Sequence, residues 1–291
     1  MKYFLLFFCA LLRIVYAGEQ EDWSPNYLPP SSSLYHPILS LPLAHVNLAA
    51  CNLTDKECIP LLTRLSQHSN LERLDLSINE LGKEAAHHLT LLTDSALNLR
   101  YLDLHLNHFS DTFLIPILKN LQHHNKITYL DLSFNFIDSL SIDVICELAR
   151  TASSLQQLSL DFIGLSKSKR LGLLQSLGQS SSIRHISLAY NSLVGIGKEI
   201  GQMIQACKTL TTLGLAWCDL TLADFTHLIQ VVNVPFPLSR TSIFLKTAPQ
   251  KPRQVTLKLE RTYATELIAA YYAQHKLETP QVILSFQLGH S

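Results

Sequence analysis

The 291-residue chain has no excess charge of either sign: 23 Lys and Arg stand against 23 Asp and Glu, and charged residues make up only 16% of it. Neutralising a phosphate backbone needs an excess of Lys and Arg, so the balance argues against a nucleic-acid partner. Beyond an N-terminal run, no stretch of eighteen or more apolar residues appears, which excludes a polytopic membrane protein. The sequence also lacks HExxH, CxxC pairs and an acidic calcium-type loop. The pairs His87-His88 and His123-His124 are poor chelates, because adjacent helical residues point about 100° apart. No metal or cofactor is expected.

Leucine is abundant instead, at 57 residues, about twice ordinary usage. With apolar residues at positions 1, 4, 6 and 11 and a polar residue at 9, a template starts at Leu43, Leu71, Leu99, Ile127, Leu155, Ile183 and Leu210, 28 residues apart five times and 27 once. Between matches, apolar residues recur at helical spacing: Leu61, Leu62, Leu65; Ala85, Leu89, Leu92; Ile142, Ile145, Leu148; Leu173, Leu174, Leu177. Each unit therefore reads strand, turn, helix. One unit cannot bury its leucine row alone, so stacked units must share a core between an inner parallel sheet and outer helices. Position 9 holds Asn79, Asn107, Asn135 and Asn191, predicted to form a ladder bonding turn backbone; Ile163 breaks it, and Cys51 and Cys218 stand in its first and seventh places.

On these residues the chain resembles leucine-rich repeats of the ribonuclease-inhibitor type over about residues 43–235. The resemblance implies an α/β solenoid, a horseshoe arc of seven repeats, with an incomplete eighth from Leu238 and a C-terminal α+β cap. Domain boundaries are expected at 1–17, 18–42, 43–237 and 238–291. Residues 1–17 read as a cleaved signal peptide: Lys2, an apolar run from Tyr3 to Leu12, and small residues before Gly18. The alternative is an uncleaved N-terminal anchor. Residues 18–42 are rich in Pro and Ser and read as a linker into an N-terminal cap. In the C-terminal segment, strand-like runs fall at 241–245, 254–260 and 282–287, with a helix-like run at 262–274.

Alternating side chains place positions 4 and 6 inward, with 3, 5 and 7 toward the open concave side. Position 5 supplies an acidic column of Asp75, Asp103 and Asp131, flanked at position 3 by Arg73, Tyr101 and Tyr129, with His105 nearby at position 7. Position 8, at the rim, reads Ala50, Ile78, Leu106, Phe134, Phe162, Tyr190 and Trp217, turning aromatic toward the C-terminus. Exposed aromatics beside Arg and acids match the composition of interface hot spots. The expected function is a non-enzymatic module, monomeric, that binds a protein or peptide partner through Arg73, Asp75, Tyr101, Asp103, His105, Tyr129, Asp131, Phe134, Phe162, Tyr190 and Trp217.

Removing Cys9 with the signal leaves five cysteines, and Cys51 and Cys218 are six strand spacings or about 29 Å apart, too far for a disulfide. Exported protein with unpaired thiols suits delivery into a reducing compartment, as in leucine-rich-repeat effectors of intracellular bacteria; an ordinary cell-surface module with buried thiols is the alternative. The repeat type also occurs in activators of small GTPases, for which Arg73, Arg100 and Arg184 are available. A ubiquitin-ligase reading fails, because residues 239–291 contain no cysteine nucleophile.

Overall fold

The computed structural model describes residues 44–67, 69–137 and 139–232, with strands at 242–245 and 253–258. The signal segment, the linker, Leu43, Leu238, and the runs at 262–274 and 282–287 lie outside the described residues.

Seven short strands, β1 (His45–Asn47), β2 (Arg73–Asp75), β3 (Tyr101–Asp103), β4 (Tyr129–Asp131), β5 (Gln157–Ser159), β6 (His185–Ser187) and β7 (Thr212–Gly214), are positions 3 to 5 of the seven units. They pair in parallel, position to position, with Leu74 opposite Leu102 and Leu102 opposite Leu130. Seven helices alternate with them: α1 (Asp55–Leu65), α2 (Lys83–Ser95), α3 (Asp111–His124), α4 (Ser139–Thr151), α5 (Lys167–Gly178), α6 (Gly197–Ala206) and α7 (Leu222–Val232). This is the expected solenoid, a concave parallel sheet backed by convex helices.

Positions 4 and 6 fill the core, with Leu74, Leu76, Leu102, Leu104, Leu130 and Leu132 fully buried, and the helices close it with Leu62, Leu89, Leu118, Ile145, Leu177 and Ile204. Each such side chain contributes about 1.5–3 kcal/mol by leaving water. Acidic residues tie helices of neighbouring repeats. Asp55 on α1 accepts the N–H groups of Gly82 and Glu84 at the start of α2, at 2.7 and 2.9 Å. Asp111 on α3 accepts the Leu140 N–H of α4 at 3.1 Å. These bonds satisfy helix N-terminal donors that would otherwise lack partners.

The asparagine ladder is complete where asparagine occurs. Asn107 donates to the carbonyls of Leu76, Leu104 and His105, and its Oδ1 accepts the Leu81 N–H at 3.0 Å. Each asparagine thus completes the turn of the repeat before its own. Position 8 is left-handed in all seven repeats, at φ between 50° and 57°, which swings the chain from the sheet edge so that position 9 turns inward. Where position 9 is not asparagine, position 10 is left-handed as well: Asn52, Gly164 and Asp219, at φ 51°, 67° and 53°. Asn, Gly and Asp tolerate that conformation best. Cys218 covers part of the missing role, donating its S–H to the Leu188 carbonyl at 3.1 Å, while its own carbonyl accepts the Leu193 N–H.

One expectation needs correction at the C-terminal end. A repeat continuing from Leu238 would put its strand at 240–242 beside β7. The neighbour of β7 is instead β9 (Arg253–Lys258), parallel to it, with β8 (Ser242–Leu245) outside and antiparallel to β9. With Pro235 and Pro237 ending the repeat pattern, the chain returns to the sheet by a later strand, and β9 covers the open edge of β7.

Candidate binding face

The position 3 residues form a stack. Arg73 places its guanidinium carbon 3.4 Å from the Tyr101 ring centroid, and Tyr101 stacks on Tyr129 with centroids 4.0 Å apart and planes 9° apart. The parallel register dictates this, since Arg73, Tyr101 and Tyr129 are successive partners across β2, β3 and β4.

The acidic column lies where the register predicts, yet it is not open. Asp75 and Asp103 are only 7% and 5% exposed. The same geometry explains why. Each Oδ1 turns back to the N–H two residues on, Ser77 to Asp75 at 3.1 Å, His105 to Asp103 at 3.1 Å and Ser133 to Asp131 at 2.9 Å, closing a local turn. The tyrosine hydroxyls reach over from position 3 with long bonds: Tyr101 and Tyr129 donate to Asp103 Oδ2 at 3.3 and 3.4 Å, and Tyr129 to Asp131 Oδ2 at 3.4 Å.

Burial, then the charge of Asp103, raises the carboxyl pKa values of Asp75 and Asp131 above the ordinary carboxylate value, while hydrogen bonds from Ser77 and Ser133 pull the other way. The Tyr101 and Tyr129 hydroxyls are pushed up by burial and by Asp103, so both phenols stay protonated donors. His105 Nδ1 lies 2.8 Å from Asp103 Oδ1. Burial alone would lower the His105 pKa, but the hydrogen bond to Asp103 and the charges of Asp103, Asp131 and Asp75 raise it overall. Asp103, His105 and Asp131 each offer a ligand atom within 4.8 Å of the others, the three described residues that could hold a metal ion. Nδ1 is already engaged with Asp103, which leaves Nε2 as the free imidazole donor.

The rim stands as expected. Phe162, Tyr190 and Trp217 are exposed, Phe134 stacks on Phe162 at 5.3 Å and meets Tyr190 at 5.8 Å, and Tyr190 stacks on Trp217 at 6.0 Å. The fold thus brings the predicted residues together in two adjoining strips, Arg73 to Asp131 on the concave face and Phe134 to Trp217 along the rim.

Two contributors were not in the sequence-based set. Asp161, at position 7, extends the acidic column. Its Oδ1 accepts the Ser187 hydroxyl at 2.5 Å and the Ala189 N–H at 2.7 Å, and burial raises its pKa. A register count at position 7 would have found it. Phe136, at position 10, is 68% exposed and stacks beside His108 at 6.0 Å. It widens the apolar rim, and only the three-dimensional turn shows it outward. None of the five described cysteines forms a disulfide; Cys51, Cys58, Cys207 and Cys218 are buried and Cys146 is partly so. Burial pushes the thiols of Cys58 and Cys218 up to about 12, which keeps them protonated. No described helix is long and apolar enough to cross a membrane.

No protein-family model matches the chain. Among curated proteins it is similar to NACHT, LRR and PYD domains-containing protein 13 of Homo sapiens, 27% identical over 194 residues that cover 66% of this chain and 19% of that protein. It is also similar to ribonuclease inhibitor of Sus scrofa, 27% identical over 202 residues, 68% of this chain and 44% of the inhibitor. The chain therefore spans less than half the length of either relative. Among solved structures, an internalin from Listeria monocytogenes aligns with a TM-score of 0.39 at 14% identity, over 76% of this chain and 65% of the internalin.

Proposed function

We propose that this chain, a leucine-rich-repeat protein of the ribonuclease-inhibitor type, is a non-enzymatic interaction module whose concave face and rim take a protein or peptide partner. The rim carries the reading. Ile78, Leu106, Phe162, Tyr190 and Trp217 are between 44% and 58% exposed, yet all sit in left-handed backbone. That conformation costs a non-glycine residue about 1–2 kcal/mol, and Gly or Asn would hold it more cheaply. Retaining large apolar side chains there sacrifices stability and solubility together, the pattern of a surface kept for binding. The similarity to ribonuclease inhibitor, whose name states a protein target, supports a protein partner as the class.

The test is affinity capture with the chain beside a variant carrying Phe134, Phe162, Tyr190 and Trp217 as alanine. Loss of capture supports the rim as the site, and equal capture removes it. The electrostatic half calls for Asp75→Asn, Asp103→Asn and Asp131→Asn together. Asparagine keeps the Oδ1 acceptor that closes each turn and removes the charge, giving up only the long tyrosine bonds to Oδ2 of Asp103 and Asp131. Capture with unaltered salt dependence would sink a basic partner. Export through residues 1–17 toward action in another cell belongs to the same proposal. N-terminal sequencing of protein recovered from each compartment decides it, since a retained Met1 is incompatible with cleavage.

A further inference from the structure

Among the described residues, the tyrosine stack carries a cation at one end only. Strand order places Arg73 on one face of Tyr101 and Tyr129 on the other. The remaining face of Tyr129 is therefore turned toward β5, where Gln157 holds the matching position. Among the described residues no ring and no cation lies on that face. Asp131 stands two residues along β4, and Asp161 lies farther along the strip, at position 7 of the next repeat, where its N–H meets the Ser133 hydroxyl. Asp131 Oδ2 takes the long Tyr129 bond of 3.4 Å. Asp161 receives its donors through Oδ1. The one guanidinium of the strip, Arg73, is committed to Tyr101, on the far side of the stack.

We propose that the face of Tyr129 turned toward Gln157, with Asp131 two residues along the strand, is a subsite for an arginine side chain of the partner. The proposal rests on the interaction-module reading and narrows its partner to one presenting arginine. The protein builds the same contact internally at the other end of the stack, with Arg73 on Tyr101 and two residues from Asp75 along β2. Charge complementarity favours a cation, since Asp75, Asp103, Asp131 and Asp161 outnumber Arg73 and His105 along the strip. Shape selects arginine over lysine. A guanidinium plane lies flat on a ring while its in-plane N–H groups reach carboxylates, whereas an ammonium is a compact, strongly hydrated point charge.

The full chain, with labelled tyrosine ring carbons, is titrated with N-acetyl-arginine amide and separately with N-acetyl-lysine amide at equal ionic strength, and ring signals are followed by NMR. Tyr129 should respond to the arginine compound with roughly fivefold higher affinity than to the lysine compound, while Tyr190 stays unmoved. Tyr129→Leu should abolish the response read at Tyr101. Because that variant removes a stacked residue, Gln157→Arg is the second test: it tethers a guanidinium at the same face and should block the free arginine compound while leaving the melting curve in place. Equal affinity for the two amides, shifts at Tyr190 as large as at Tyr129, or an unchanged response in Gln157→Arg overturns the subsite. If the subsite fails while the rim variant still loses capture, only the arginine assignment falls. If arginine binds at Tyr129 but the rim variant captures normally, the rim reading falls and the subsite stands.

Discussion

Replacing Asn107 by isoleucine imitates the natural break at Ile163, and its cost follows from counting partners. Four bonds are lost, but three of the acceptors keep another donor: the Leu76 carbonyl retains Asn79, the Leu104 carbonyl retains Asn135, and the His105 carbonyl retains the Ile78 N–H. The Leu81 N–H has no other partner among the described residues and loses its acceptor; at the natural break the equivalent Ile137 N–H meets the Asn135 carbonyl of its own repeat at 3.0 Å, in a tight turn. An orphaned buried donor costs about 1–3 kcal/mol, and the lost bonds add a further fraction each, so Asn107→Ile should destabilise by roughly 2–4 kcal/mol. At Ile163 the protein pairs its break with Gly164 in left-handed backbone. His108→Gly supplies the same freedom next to position 107. The double variant Asn107→Ile with His108→Gly should therefore recover about 1 kcal/mol relative to the sum of the single changes. Urea unfolding of the full chain, read by circular dichroism and tryptophan fluorescence with coincident transitions, measures the cycle. A single-variant loss under about 1 kcal/mol, or no favourable coupling, would refute the account of how turns without asparagine are closed.

Gly197→Ala should be far more damaging than an ordinary helix substitution, because an added Cβ would overlap the backbone oxygen of Asp224 and neither backbone can yield cheaply; a loss above about 3 kcal/mol in the same urea assay is expected. Stability should rise as pH falls from about 7.5 to about 5. The raised pKa values of Asp75, Asp131 and Asp161 mean that the folded state holds protons more tightly than the unfolded one, so their burial penalty is relieved on acidification. The raised pKa of His105 acts in the same direction, stabilising below the unfolded value of 6.5 and fading as pH rises through the folded one. Asp224 opposes them, its pKa held down, against burial, by bonds from Thr221, Gly195 and Gly197; its contribution is lost only as pH falls below 3.8. A urea midpoint that drops between pH 7.5 and pH 5 would contradict this sign, and Asp75→Asn should flatten the rise.

The repeat frame was legible because a 28-residue period leaves one arrangement in which all the leucines are covered. From that register, strand positions 3 to 5, the buried leucines, the Asn ladder and the position 3 stack all follow by counting. What counting could not supply was depth. Asp75 and Asp103 face the concave side as alternation requires, but alternation says nothing about a tyrosine ring folding over them or about an Oδ1 turning back to the backbone. Phe136 was missed because position 10 lies beyond the strand, where alternation no longer assigns a face; the turn leaves that position outward in repeats with and without asparagine at position 9. Strand β9, legible only as a strand-like run at 254–260, eluded the period because it joins the sheet after the repeats have ended.

Each position 9 asparagine closes the turn of the repeat before it, never the one after: Asn79 serves Leu53, Asn107 serves Leu81, and Asn135 serves Phe109. The solenoid therefore has a direction in time as well as in space. As the chain leaves the ribosome, each turn that an asparagine closes stays without that bond until about one more repeat has emerged. The last of these units to appear is the unfinished one. A chain cut short within those repeats ends in an exposed, incompletely bonded turn, a built-in mark by which truncated products differ from the finished protein.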